Sequence, residues 1–300
     1  MESSFVAEVP PPLALGPLAV WRHSPENRSP LARILLIHGL SEHSGRHQNT
    51  IRFLTAQGYE VIRFDLRGAG RSGGKRQWCE YFEEYVEDTV RVFNWMSAEL
   101  SPLPLFLLGH SLGGAIGIYF AADYGKSLQG LILSATGYLP GPSISPWKIK
   151  LGKLLGSTLP GLRVPGSRDK SDLSRDPAVG EEFLRDPLTC QFNTIQQGVQ
   201  ILKALPRLPS LCRRITVPVL MFHGDADRVV KVEGTQELFL ALASRDKKLH
   251  IFPNGYHEPH QDLNKEEYFS LLGNWIDHHL IPQLSPEKDH PGLVSKNVSR

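Results

Sequence analysis

The chain runs an apolar stretch, Leu105-Phe-Leu-Leu108, straight into Gly109-His-Ser-Leu-Gly-Gly114 and on through Leu112–Tyr124. This join constrains the fold more than any other part of the sequence. A short unbroken apolar run ending at glycine reads as a strand buried on both faces, and Leu112–Tyr124, closed by Gly125, reads as a helix. A strand that reverses into a helix this quickly needs a turn so tight that neighbouring side chains would strike the backbone, and glycine removes that collision. Gly109-His-Ser-Leu-Gly113 thus fits G-x-S-x-G in the strand–turn–helix setting that lifts the serine hydroxyl above the sheet edge. The helix that follows aims its backbone N–H groups at the same point. Ser111 is therefore a candidate nucleophile. Such a serine needs a base, a carboxylate to orient the base, and two donors for the oxyanion.

The remaining elements supply a sheet to carry it. Ile34–Ile37, Glu60–Phe64, Leu105–Leu108, Gly130–Leu133, Val217–Phe222 and Lys248–Phe252 read as strands, and shorter ones fall at Phe5–Val9 and Leu18–Arg22. Between them, 47–57, 82–100, 112–124, 232–243 and 265–280 have helical character. Alternating strands and helices, with strands apolar on both sides, predict an α/β fold with a mostly parallel central sheet and helices on both faces. One region breaks the rhythm. From Tyr138 to Pro206 there is no strand signal, only prolines and helical stretches around 179–184 and 192–205. This reads as a mainly helical cap inserted over the sheet edge where ligands of open α/β sheets bind. The expected organisation is core 1–137, cap 138–207, core 208–284 and a polar tail 285–300. Within the cap, Trp147, Ile149, Leu151, Leu154, Leu155 and Leu159 form an apolar series. It either packs on the core or faces lipid, and its first five members are the candidate substrate contacts.

On a serine elbow of this kind the partners follow in the order acid, then histidine, from loops after later strands. Two aspartates follow the fifth strand of the core in Gly224-Asp-Ala-Asp-Arg228. Asp227, lying further out, is the candidate acid, and Asp225 the loop-bracing alternative. Of 12 histidines, only His257 and His260 lie in the loop after the sixth. His257, two residues after Gly255, is the candidate base. His260 reads as a loop or cap residue, and His38 and His110 as structural hydrogen bonders. The oxyanion donors are expected to be the backbone N–H groups of Leu112, next after the serine, and Leu40, in the loop after the first core strand.

Composition narrows the alternatives. With 33 basic and 31 acidic residues the chain offers no electrostatic case for nucleic acid. Its three cysteines, Cys79, Cys190 and Cys212, are widely spaced and form no metal or disulfide pattern. No metal or cofactor is expected. The N-terminus lacks a basic region, and no apolar run approaches the ~20 residues of a membrane helix. The expected location is the cytoplasm, with peripheral contact with a membrane surface left open.

Longer motifs go further. His38-Gly-Leu-Ser-Glu-His-Ser-Gly-Arg46, Phe64-Asp-Leu-Arg-Gly-Ala-Gly-Arg-Ser72, Gly109–Gly114 and Gly224–Arg228 resemble the α/β-hydrolase superfamily, as do Leu173–Pro177 and Asp186–Leu188 in the cap. Within it the chain is similar to the monoacylglycerol lipase and lysophospholipase group. The resemblance implies a serine carboxylester hydrolase acting on a monoacylglycerol or related single-chain lipid ester through an acyl-enzyme. It maps the nucleophile to Ser111, the acid to Asp227, the base to His257 and the donors to Leu40 and Leu112. It implies that Asp65–Gly68 is a structural turn. Related dehalogenases and epoxide hydrolases carry aspartate where Ser111 stands, which disfavours those chemistries. A lysophospholipase, a general carboxylesterase or a peptidase would share the same triad, and a non-catalytic binding homologue is the reading from a different class.

Overall fold

A computed structural model describes residues 5–9, 18–143, 154, 158–166 and 171–280. Of the expected features, the tail 285–300 and the cap residues Trp147, Ile149, Leu151 and Leu155 lie outside the described residues. The eight-stranded sheet comprises β1 (Phe5–Val9), β2 (Leu18–His23), β3 (Ala32–Ile37), β4 (Tyr59–Phe64), β5 (Leu105–His110), β6 (Gly130–Ser134), β9 (Val219–Gly224) and β10 (Lys247–Phe252). Their order is β1-β2-β4-β3-β5-β6-β9-β10. The pairs β1/β2 and β2/β4 are antiparallel and every other neighbouring pair is parallel.

Period-two alternation explains why the central parallel strands are largely apolar on both faces. In β3, Leu35 and Ile37 enter one core cluster, while Ile34 and Leu36 enter the other. The first cluster is closed by α2 (Glu83–Glu99), α3 (Leu112–Tyr124), α6 (Leu208–Cys212) and α7 (Val232–Ala241), through Val92, Ile116, Leu208 and Leu238. The second is closed by α1 (Gln48–Gln57) and α8 (Lys265–Leu280), through Leu54, Leu272 and Trp275. Each such side chain contributes about 1.5–3 kcal/mol on burial. The α3 segment is buried continuously from Leu112 to Ala121. That explains its apolar character all round, and it fixes the helix start beneath the serine.

The inserted region differs from the sequence expectation. It does contain strands: β7 (Arg163–Pro165) pairs antiparallel with β8 (Phe192–Thr194). Three residues are too few to show alternation, and the partner lies almost thirty positions away, so no local pattern marks the pair. The stretch 192–205, expected to be helical from its start, becomes a strand and then α5 (Ile195–Ala204). Thr194 divides them by accepting the Gln197 N–H on its hydroxyl, as an N-cap does. Another helix of this region among the described residues, α4 (Pro177–Arg185), is capped by Asp176 in the same way.

Candidate active site

The elbow is strained where the sequence suggests. Ser111 has φ 53° and ψ −115°, a conformation that costs a non-glycine residue about 1–3 kcal/mol. The glycines around it are obligatory. A Cβ on Gly113 would stand 2.2 Å from the Ile37 carbonyl oxygen, and one on Gly109 would stand 2.3 Å from that of Gly113. The elbow is also tied to the neighbouring strand, since Ser111 N–H donates to the Ser134 carbonyl at 2.8 Å.

Two further loops converge on the serine. His257 Nε2 lies 3.0 Å from Ser111 Oγ, and its Nδ1 lies 2.7 Å from Asp227 Oδ2. Asp227 is fixed by four contacts. Its Oδ1 accepts from the N–H groups of Val229 and Val230 at 2.8 and 2.9 Å, and its Oδ2 faces both His257 and, at 3.1 Å, His223 Nε2. His223, a residue the sequence did not single out, is held through Nδ1 by Thr235 Oγ1 at 2.6 Å. Burial alone would raise the Asp227 pKa, but His257 and His223 outweigh it and hold the carboxyl well below its ordinary range. Burial likewise opposes charge on His257, yet Asp227, then Glu258 and Glu42, raise its pKa above 6.5. Asp225 takes the bracing part: its Oδ1 accepts the Asn254 N–H at 2.6 Å, clipping the β9 loop to the β10 loop. These two loops touch backbone to backbone, as a Cβ on Gly224 would sit 2.1 Å from the Gly255 carbonyl oxygen.

The loop after β3 closes the other side. Gly39 packs against the elbow, where an added Cβ would meet Ser111 Cβ at 3.2 Å. Leu40 and Leu112 line the same cavity as Ser111 and His257. His38 is a structural hydrogen bonder: Nδ1–H donates to the Gly39 carbonyl at 2.8 Å and Nε2 accepts the Leu66 N–H at 2.9 Å. Asp65 braces the loop from beneath, accepting from Ser44 N–H at 2.9 Å and Arg71 N–H at 2.8 Å.

Sequence reasoning missed a buried polar group behind these loops. His260, read from the sequence as a loop or cap residue, is buried and stacks on His47 at 4.5 Å, and His110 meets both rings edge-on. Burial keeps His110 and His260 neutral, with pKa values well below the ordinary one. Beside them Glu42, Arg46 and Glu258 form buried ion pairs. The spacing of Glu42 and Arg46 suits an i,i+4 pair, which is the one local signal for this group.

The cavity above Ser111 has a volume of about 350 Å³. Its lining includes an apolar series from α5, Ile195, Gly198, Val199 and Leu202, and then Leu205 just beyond the helix. That series recurs at helical spacing, a signal present in the sequence. Leu154, the described member of the candidate substrate contacts, is 74% exposed and does not line this cavity, and Leu159 and Leu162 are also exposed. Among the described residues no helix is long and apolar enough to cross a membrane, and no cluster suited to holding a metal ion is found.

Residues 28–264 match the family described as Serine aminopeptidase, S33 (Hydrolase_4). Monoglyceride lipase from Homo sapiens is 34% identical over 252 residues, covering 83% of this chain and 83% of the relative. Monoacylglycerol lipase from Mycolicibacterium smegmatis is 31% identical over 253 residues, covering 84% of this chain and 90% of the relative. Among solved structures, the monoacylglycerol lipase of Paleococcus ferrophilus superposes with a TM-score of 0.78 at 30% identity, covering 87% of this chain and 99% of that one.

Proposed function

The chain belongs to the Hydrolase_4 family of α/β-hydrolases, and from that membership we propose that it hydrolyses monoacylglycerols through an acyl-enzyme on Ser111. The observation that carries this reading is the continuous chain Ser111 Oγ, His257, Asp227, at 3.0 and 2.7 Å, opening into an apolar cavity under the inserted segment.

Ser111 gives its proton to His257 Nε2 as Oγ attacks the ester carbonyl. Asp227 holds the imidazole in the Nδ1–H tautomer and stabilises the imidazolium that forms. The developing oxyanion is met by the N–H groups of Leu40 and Leu112, donors of the kind whose loss typically costs about 10²–10³ in kcat. His257 then protonates the departing glycerol oxygen, and water, deprotonated by the same ring, releases the fatty acid.

The acyl chain lies along Val199, Leu202 and Leu205, gaining about 0.8 kcal/mol for each buried CH₂. The segment 138–207 acts as a cap over it, and the exposed Leu154, Leu159 and Leu162 touch the lipid surface from which a single-chain substrate is drawn. The family description also names an aminopeptidase, whose substrate presents a free ammonium. The acidic groups of this cavity suit that less well: Glu42 and Glu258 are already paired with Arg46, and Asp172 faces Arg228. The test is kcat/KM over monoacylglycerols of rising chain length, diacylglycerols, lysophospholipids and acetate-sized esters. Medium or long monoacylglycerols are expected to be turned over fastest. A preference for acetate-sized esters would overturn the assignment.

A further inference from the structure

Ser111, its base and its oxyanion donors come from three loops that separate strands support, and Arg46 ties the loop after β3 to the loop after β10. Its side chain is buried, and Nη1 donates both to Glu42 Oε2 at 2.9 Å and to Glu258 Oε1 at 2.7 Å, while Nη2 donates to Glu258 Oε2 at 2.9 Å. Glu258 is the residue after the base His257. Glu42 in turn accepts the Gly39 N–H on Oε1 at 2.6 Å, in the peptide just before the Leu40 donor. An unbroken line of charge-assisted hydrogen bonds, the strong kind, therefore runs from the base loop through Arg46 and Glu42 to the oxyanion loop. The guanidinium also lies 4.9 Å from the centre of the Phe183 ring on α4, and Glu258 N–H donates to the Leu173 carbonyl at 2.8 Å, so both ends meet the inserted segment. Burial disfavours the Arg46 charge, but Glu258 and Glu42 hold its pKa above the ordinary value.

We propose that Arg46 is a positioning residue that clasps the base loop, the oxyanion loop and the inserted segment into one register, with Glu42 and Glu258 as its two jaws. The proposal rests on the assignment of Ser111, His257 and the Leu40 N–H given above. Its action falls on geometry, through the placement of His257 against Ser111 and of the Leu40 N–H against the oxyanion, and on charge at His257. Asp227 from the β9 loop, Glu258 from its own loop and Glu42 from the β3 loop all favour the imidazolium, and His110 of the elbow packs 5.1 Å from the ring, with His47 and His260 behind it. Replacing Glu258 by glutamine removes one of those negative charges and leaves Arg46 less neutralised. Both changes lower the His257 pKa.

The experiment compares Arg46→Met, Glu258→Gln and the double variant on a monoacylglycerol and on a p-nitrophenyl ester that has no glycerol. Fluorophosphonate labelling of Ser111 in the unaltered protein serves as the reference. The clasp predicts that each single variant loses about 10–100-fold in kcat on both esters, because a small misplacement costs that much, while KM changes little. The double variant falls no further than the worse single one, and Glu258→Gln shifts the acidic limb of kcat/KM to lower pH. A loss confined to the glycerol ester, losses that multiply in the double variant, or unchanged kcat would overturn it. If Arg46→Met does not fold, the near-isosteric Glu258→Gln decides alone: unchanged kcat and acidic limb refute the clasp. A protein whose Ser111 takes no label overturns the assignment of function and the clasp with it. Labelled Ser111 with unaltered variant kinetics overturns the clasp only.

Discussion

Replacing Asp227 by asparagine removes the charge beside His257 and also tests the site through tautomerism, because the new side chain has one orientation that the surroundings accept. Oδ1 now accepts two backbone N–H groups, from Val229 and Val230. An asparagine NH₂ turned toward them would set donor against donor twice, so the amide oxygen must keep that place and the NH₂ must take the place of Oδ2. There it faces His257 Nδ1, which sits 2.7 Å from Oδ2 in the unaltered protein. A donor in that position forces Nδ1 to accept, and the ring proton moves to Nε2, the atom 3.0 Å from Ser111 Oγ. The base then presents a proton to the hydroxyl it should deprotonate. A tautomeric error of this kind typically costs roughly 10⁴ in kcat, or about 5.4 kcal/mol of transition-state stabilisation. Stability should change little, since the two backbone bonds survive. The assay is kcat on a monoacylglycerol beside a thermal melt, with Asp225→Asn as control. Asparagine at 225 keeps an acceptor for the Asn254 N–H and should cost only a few-fold. Activity within tenfold of the unaltered protein for Asp227→Asn, with a collapse for Asp225→Asn, would refute the assignment of the acid.

Three other outcomes are expected. The acidic limb of kcat/KM should lie above 6.5, because His257 acts only when neutral and its pKa is raised; activity is lost as pH falls through that pKa, and a limb at or below 6.5 contradicts the charge balance around the ring. Leu40→Pro removes one oxyanion N–H and should lower kcat about 10²–10³-fold in a folded protein; near-normal turnover would move the second donor elsewhere. Exchanging the exposed Leu154 and Leu159 for serine should weaken co-sedimentation with liposomes about tenfold or more, and unchanged binding would detach the inserted segment from any lipid contact.

The parts of the molecule that were legible in the sequence are those whose cause is local. The parallel strands announce themselves because both faces are buried, as the split of Ile34 and Leu36 from Leu35 and Ile37 requires. The elbow does so because a Cβ at Gly109 or Gly113 would overlap backbone. The position of Ser111, Asp227 and His257 at strand ends follows from that frame, and the three are found within hydrogen-bonding reach of one another. What the sequence concealed depends on contacts between distant segments. The hairpin of β7 and β8 is three residues a side, His223 supports Asp227 from within a strand, and the burial of His260 comes from His47 and His110 across the fold. The Arg46–Glu258 pair spans more than two hundred positions, and no pattern in either loop foretells the other.

The central claim is that Ser111 is the nucleophile that a monoacylglycerol reaches. The most direct measurement is fluorophosphonate labelling followed by peptide mass spectrometry, with and without monoacylglycerol. One label per chain on the Ser111 peptide is expected, formed more slowly as monoacylglycerol saturates the cavity and at an unchanged rate with an equal concentration of diacylglycerol. A label on another residue, no label, or a rate indifferent to monoacylglycerol would contradict the account.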